Sequence, residues 1–231
     1  MTSERLIPCT VVITACPLCN ANGSSQHEIE HPHFHECGEC GLLYMTPRPT
    51  PEAYHNLYTS GYYRRTRNAS TARLDRDELK RAQRIAELVP KGVSHLDVGC
   101  SRGFLLDITR RHGASKVLGV EPYREWVKHD IPSVASLDEV VGVWECITCI
   151  HTLEHTIDLK GVSRRLAELL ISGGLLIIEV PNLSEMAKQY NQDGHVYYYR
   201  PEVIQRLFDG LTLTKHWQDP HDVYTFTKPE A

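Results

Sequence analysis

Leu96-Asp97-Val98-Gly99-Cys100-Ser101-Arg102-Gly103-Phe104-Leu105-Leu106 is the stretch on which the fold turns. The apolar run Ser94–Val98 reads as a strand, and Gly103–His112 reads as the helix that follows it. Between them, glycine lets a ligand approach the backbone closely. Downstream, strand and helix alternate. Lys116–Val120, Trp144–Ile150 and Gly174–Val180 read as strands. Tyr123–His129, Ser136–Val141 and Leu159–Leu170 read as helices. Pro201 stands where a further helix would begin. Leu211–Trp217 and Val223–Thr227 close the chain as adjacent strands. Upstream, Leu79, Ala82, Ile85, Ala86 and Val89 repeat at helical spacing, so Asp75–Val89 is expected to be a helix ended by Pro90-Lys91-Gly92. The expected class is α/β, a mostly parallel sheet with an antiparallel C-terminal hairpin.

The chain has 231 residues, 41% hydrophobic and 23% charged, which are globular values and exclude wholesale disorder. No apolar stretch approaches the ~20 residues that span a bilayer. The N-terminus lacks the apolar region of a signal peptide, so a cytoplasmic protein is expected. A net charge of −4 gives no general attraction to nucleic acid. The eight cysteines are the unusual feature. Cys16-Pro17-Leu18-Cys19 and Cys37-Gly38-Glu39-Cys40 are separated by 17 residues, a tetrathiolate zinc spacing. The bland alternatives are unrelated thiol pairs or a redox pair. His27, His31, His33 and His35 lie between the pairs; one could replace a Cys as ligand, but four thiolates complete the shell and the set reads as surface residues of a ribbon loop. The expected organisation is a zinc-ribbon-like module over 1–49, a tyrosine- and arginine-rich linker over 50–74, and an α/β domain over 75–231. Seven arginines and Lys80 fall between Arg64 and Arg84; they read as the solvated face of a helix or as a meeting point for phosphates.

The second strand ends in Gly119-Val120-Glu121-Pro122. An acid there, 24 residues after Asp97, suits contact with ribose hydroxyls. Ile150-His151-Thr152-Leu153-Glu154-His155 follows the next long strand, and Gly173-Gly174-Leu175 runs through to Val180-Pro181-Asn182. In this order and spacing the four segments resemble the motifs of class I S-adenosylmethionine-dependent methyltransferases. The resemblance implies a Rossmann-like sheet and a cofactor site drawn from Asp97, Gly99, Ser101, Gly103, Phe104, Glu121, Pro122, His151, Leu153 and Tyr62. Ser101 stands where the family usually has Gly or Ala. The acid often found after the third strand is replaced by the Ser133–Ser136 region. Cys40-Gly41 to Pro47-Arg48-Pro49 is similar to a zinc-binding subgroup that includes sugar C-methyltransferases. That resemblance implies a structural Zn2+ on Cys16, Cys19, Cys37 and Cys40. It also makes Tyr54, Tyr58, Tyr62 and Tyr63 lid candidates.

Methyl transfer from a sulfonium is an in-line displacement, and the protein must align the acceptor and remove its proton. Histidine suits that task. Asp193-Gly194-His195-Val196-Tyr197-Tyr198-Tyr199-Arg200-Pro201-Glu202 resembles the subgroup's acceptor segment, which makes His195 a candidate base. Gly194 occupies the subgroup's Glu position, which favours oxygen over carbon as acceptor. His155 is the second candidate, either a base or a brace. His151-x-x-Glu154-His155 also has the form of an inverted zinc-protease motif, but it follows a strand directly instead of lying on a long helix. Some quinone O-methyltransferases with a similar Glu-His segment use a divalent cation, where this chain has His151 in place of an acid. The expected function is methyl transfer to a small molecule: a sugar, a nucleotide-sugar or a biosynthetic intermediate. The alternatives are an RNA or protein methyltransferase that reads substrate with the zinc module, and a non-catalytic cofactor-binding scaffold. A dinucleotide oxidoreductase would need Gly-x-Gly-x-x-Gly, and the chain has Gly99-x-x-x-Gly103.

Overall fold

The computed structural model describes residues 9–22, 34–59, 71–183 and 194–230. Buried apolar runs make the centre. Strands β5 (Ser94–Val98), β6 (Lys116–Val120), β7 (Ser133–Val134), β8 (Trp144–Ile150) and β9 (Leu170–Val180) pair in parallel. β12 (Asp222–Thr227) adds antiparallel to β9, and β11 (Thr212–Gln218) pairs antiparallel with β12 on the outer edge. The seven-stranded order is β11-β12-β9-β8-β5-β6-β7. This is the Rossmann-like architecture that the resemblance implies, closed by the antiparallel hairpin that the alternation predicts. The strand order reverses beside β5, with β6 and β7 on one side and β8 and β9 on the other, the place where a crevice opens at the C-terminal ends of β5, β6 and β8.

Side chains of successive strand residues point to opposite faces. On one face, Ala82, Ile85 and Ala86 of helix α2 (Thr71–Ala86) pack with Leu105 of α3 (Phe104–Arg111) onto Cys146, Ile177 and Val223. On the other, α4 (Leu159–Leu169) and α5 (Pro201–Leu207) bury Leu159, Leu166, Val203 and Ile204 in the cluster that holds Ile147, Ile178 and Tyr224. Cys100, Cys146 and Cys149 are buried free thiols within these layers and serve as small apolar residues.

Three elements depart from expectation. Over Ser136–Val141 only a 3-10 turn forms, Leu137–Glu139, capped by Ser136 and Glu139. Over Tyr123–His129 only a 3-10 turn forms, Arg124–Trp126. The Lys128 N–H donates to Arg102 O and its ammonium reaches Asp107 at 2.6 Å, contacts that draw the chain out of a helix and onto the neighbouring loop. β9 begins at Leu170, ahead of the glycines, because Leu170 pairs with Trp144 across a register shift that absorbs Gly173 at φ +74°.

The N-terminal part is built from short strands: β1 (Cys9–Val11), β2 (Phe34–Glu36), β3 (Leu43–Met45) and β4 (Arg48–Pro49), then α1 (Pro51–Thr59). β1 pairs with β4, and β2 with β3. β3 also pairs with β10 (Tyr197–Tyr198), which comes from the loop after β9. No helix among the described residues is long and apolar enough to cross a membrane.

Candidate active site and thiol cluster

The first wall of the crevice is the turn after β5. Gly99 has φ +77°, and a Cβ there would fall 2.0 Å from Thr152 Oγ1. Thr152 needs that space, because its hydroxyl lies 3.1 Å from both Val98 O and Ile150 O, at the ends of β5 and β8. Ser101 also lies in the left-handed region, at φ +49°, a costly conformation for a non-glycine residue. There its N–H donates to Glu121 Oε2 at 3.1 Å, while the Tyr123 N–H donates to Oε1 at 3.0 Å. The carboxylate at the end of β6 is thereby fixed beside the loop. Asp97 is buried and accepts the Thr148 hydroxyl at 2.6 Å. Burial pushes its carboxyl up to about 7. Gly103 opens α3, and Phe104 carries the Lys128 ammonium 5.2 Å above its ring. Pro122 is exposed and Leu153 is buried in the 3-10 turn Leu153–His155. Tyr62 and Tyr63 lie outside the described residues, as do His27, His31 and His33.

Across the crevice two histidines meet. The His195 ring lies edge-on to His155 at 4.6 Å, and its Nδ1 is 3.1 Å from Tyr198 Oη. His155 Nδ1 is 3.3 Å from Tyr54 Oη and 3.4 Å from Gly194 O. Tyr54, from α1, also donates to Gly194 O. Gly194 has φ +69°, a conformation in which a Glu would be strained. The Val196 N–H donates to Glu154 O at 2.8 Å and ties this loop to the turn after β8. The Glu154 carboxyl is fully buried. Burial alone would raise it, but the His151 hydrogen bond and the nearby His155 and His195 rings hold it near 2. Burial, with His195 alongside, lowers His155 to about 3, so it is neutral at pH 7.

Sequence reasoning placed His151 at the cofactor. In the structure it has φ +49° and bridges two carboxylates, Glu154 through Nδ1 and Glu179 through Nε2, each at 3.1 Å. Burial opposes its protonation, and the two acids outweigh burial and raise it. Glu179, Arg81, Arg84 and Tyr198 carried no site assignment in the sequence. Glu179 is fully buried on β9 and is paired with Arg81 and Arg84 of α2. A lone acid inside the apolar run Leu175–Val180 was the signal that could have found it.

The four cysteines converge. Cys16 and Cys40 sulfurs lie 3.5 Å apart, as do those of Cys19 and Cys37, and all four fall within 4.8 Å of one another. Sulfurs at ~2.3 Å from one tetrahedral zinc would be about 3.8 Å apart, so the set fits that ion. The two turns are built alike: the N–H groups of Asn20 and Gly41 donate to Cys16 O and Cys37 O, and both residues have positive φ. The His35 ring lies 6.3 Å from that of Tyr44, and His35 is not among the converging donors. Among the described residues two further sets offer converging donors: Glu154, His155 and His195, and His151, Glu179 and His221. In the second, Arg81 and Arg84 already neutralise the carboxylate.

Residues 63–219 match a family profile described as a methyltransferase domain. The ubiquinone biosynthesis O-methyltransferase of Xanthomonas axonopodis pv. citri (strain 306) is 32% identical over 44% of this chain and 48% of that enzyme. The chain thus spans about half the length of the curated relatives it matches. Among solved structures, Burkholderia thailandensis 1,6-didemethyltoxoflavin-N1-methyltransferase, with bound 1,6-didemethyltoxoflavin and S-adenosylhomocysteine, superposes with a TM-score of 0.61 at 16% identity, covering 86% of this chain and 100% of that one. Magnesium protoporphyrin IX methyltransferase from Synechocystis PCC 6803, with bound S-adenosylhomocysteine, gives 0.58 at 13% identity, covering 77% and 98%. At these identities the likeness is one of fold.

Proposed function

This chain belongs to the methyltransferase-domain family, and from that footing we propose that it transfers the methyl group of S-adenosylmethionine to a hydroxyl of a small molecule: a sugar, a nucleotide-sugar or a biosynthetic intermediate. The observation that carries the reading is the Glu121 carboxylate, pinned by the Ser101 and Tyr123 N–H groups beside the glycine turn. A preset acid at the end of β6 is what two ribose hydroxyls require. Gly99, Gly103 and Phe104 line the approach, Asp97 offers a buried carboxyl to the cofactor's ammonium, and Leu153 and Pro122 add apolar walls. The cofactor supplies an electrophilic methyl on a good leaving group, and the protein supplies alignment and a base.

His195 is the proposed base. His155, held at about 3, is too weak a base at neutral pH and serves as a brace between Tyr54 and the Gly194 carbonyl. Gly194 in place of a Glu supports an oxygen acceptor. Cys16, Cys19, Cys37 and Cys40 hold a structural Zn2+; four thiolates leave no open position for catalysis. We assign the zinc module to 1–49, the linker and lid to 50–74 and the methyltransferase domain to 75–231. The free thiols suit the cytoplasm.

Isothermal titration with S-adenosylhomocysteine tests the reading first. The wild type should bind and Glu121→Ala should weaken binding about 10- to 100-fold, the scale of a lost charge-assisted contact. No heat of binding at millimolar ligand would refute the cofactor assignment. A turnover screen with sugars, nucleotide-sugars and RNA, read by mass spectrometry, identifies the acceptor.

A further inference from the structure

We infer that the thiol cluster is a positioning clamp for the acceptor side of the site: metal occupancy fixes His195, and the cofactor crevice is formed without it. The inference rests on the zinc and His195 readings above. Its first support is covalent neighbourhood. The second cysteine turn is itself the hairpin connection between β2 and β3. β2 ends at Glu36, the Cys37 N–H donates to Leu42 O, the Gly41 N–H donates to Cys37 O, and β3 begins at Leu43. Fixing Cys37 and Cys40 on one ion therefore fixes where β3 starts and where it points.

β3 in turn holds the acceptor loop. Leu43 pairs with Tyr198 and Tyr44 with Tyr197, and the Met45 N–H donates to Val196 O at 2.9 Å. β10 is two residues long, too short to persist without a partner strand. Its place is set by β3 on one side and by the Glu154 carbonyl on the other. His195 lies two residues before this strand, next to Val196. The module reaches its side chain too: Phe34 of β2 packs edge-on to Tyr198 at 5.2 Å, and Tyr198 Oη lies 3.1 Å from His195 Nδ1. Strands of three residues around a small core lack rigidity of their own, and a structural ion supplies it. The cofactor turn is built differently. Gly99 N–H donates to Val120 O, Gly103 N–H to Cys100 O and Ser101 N–H to Glu121, all within the central sheet and its loops. Tyr198 is accordingly a positioning residue, acting through His195.

The test uses the full chain with its metal, before and after chelation, with metal content measured by mass spectrometry. Hydrogen exchange is followed in residues 194–200 and in 97–106, alongside S-adenosylhomocysteine affinity. Metal removal should speed exchange in 194–200 by about tenfold or more and return to protection when Zn2+ is restored. Exchange in 97–106 and the affinity should stay within about threefold. In a second arm, Tyr198→Phe, with metal retained, should shift the His195 imidazole titration seen by NMR while 196–198 stay protected. Unchanged exchange in 194–200 of the metal-free protein overturns the clamp alone. Equal loss of protection in both segments overturns its selectivity, and with it the inference. A protein that carries no zinc as purified and takes up none when Zn2+ is added refutes the zinc reading and the clamp together, whereas failure of His195→Ala to reduce turnover refutes only the base.

Discussion

Asp97 is a carboxyl that burial and function pull in opposite directions. Its folded value of about 7 lies above the ~3.9 of an unfolded Asp. Between those values the folded chain holds the proton and the unfolded chain does not. The ligand-free protein therefore loses this contribution to stability as pH rises from about 4 to about 7. A bound ammonium favours the ionised form, so S-adenosylhomocysteine affinity should climb with pH up to about 7 and then level off. Asp97→Asn should flatten both profiles and weaken binding about 10-fold or more; calorimetry and thermal melts across that range check it, and an unchanged pH slope in the variant would assign the effect elsewhere. On the acceptor side, His195→Ala should lower turnover about 100-fold or more with affinity for the cofactor product intact. His155→Gln should cost far less, since a neutral brace can be replaced by an amide. Both histidines were visible in the sequence as candidates. Their different surroundings were not, because these depend on Tyr54, Gly194 and Tyr198, which only tertiary structure brings to them.

At the scale of elements, the arginine-rich helix was the misleading signal. α2 has an apolar stripe through Ala82, Ile85 and Ala86, and its charges read as a solvated face. Arg81 and Arg84 instead turn inward, because Glu179 on β9 is fully buried and must be neutralised. His151 completes the set and joins α2, the end of β8 and the end of β9. Burial would raise Glu179, but His151 and the arginines lower it; the acids raise His151. The sign of each follows. Glu179 stabilises above its unfolded ~4.5 and loses that as pH falls through its lower folded value; His151 stabilises below ~6.5 and loses that as pH rises through its higher folded value. Stability from this cluster should peak between about 4.5 and 6.5, and His151→Gln should remove the alkaline limb of a melting-temperature profile. Glu179→Gln leaves two cations without their partner. The arginines are about a third exposed, so water screens part of the loss, and a cost of about 1–3 kcal/mol is expected. That corresponds to a drop of about 3–10 °C in a thermal melt. No change would mean the cluster is already solvated.

For the whole molecule, the strand–helix alternation made the central sheet legible, since each buried run had to pair and each amphipathic helix had to cover a face. What alternation does not encode is the three-stranded sheet of β2, β3 and β10, whose strands come from residues 34–45 and 197–198. Pairs of two or three residues carry no periodicity, and their partner lies some 150 positions away. The chain is thus built on two supports, a central sheet whose strand ends hold the Gly99–Glu121 turn and an N-terminal thiol cluster whose hairpin pairs with residues 197–198. Two ligands should then stabilise it independently. S-adenosylhomocysteine at about 100 times its Kd adds about 2.7 kcal/mol to the folded state, which for a chain of this size raises the melting temperature by about 5–10 °C. Chelating the metal should lower the starting temperature yet leave that increment nearly whole, because the Gly99–Glu121 cradle is bonded within the sheet. Glu121→Ala should do the reverse, keeping the starting temperature and losing most of the increment. If instead chelation removes both the stability and the increment, the two supports are one cooperative unit, and the acceptor loop cannot be loosened without losing the cofactor.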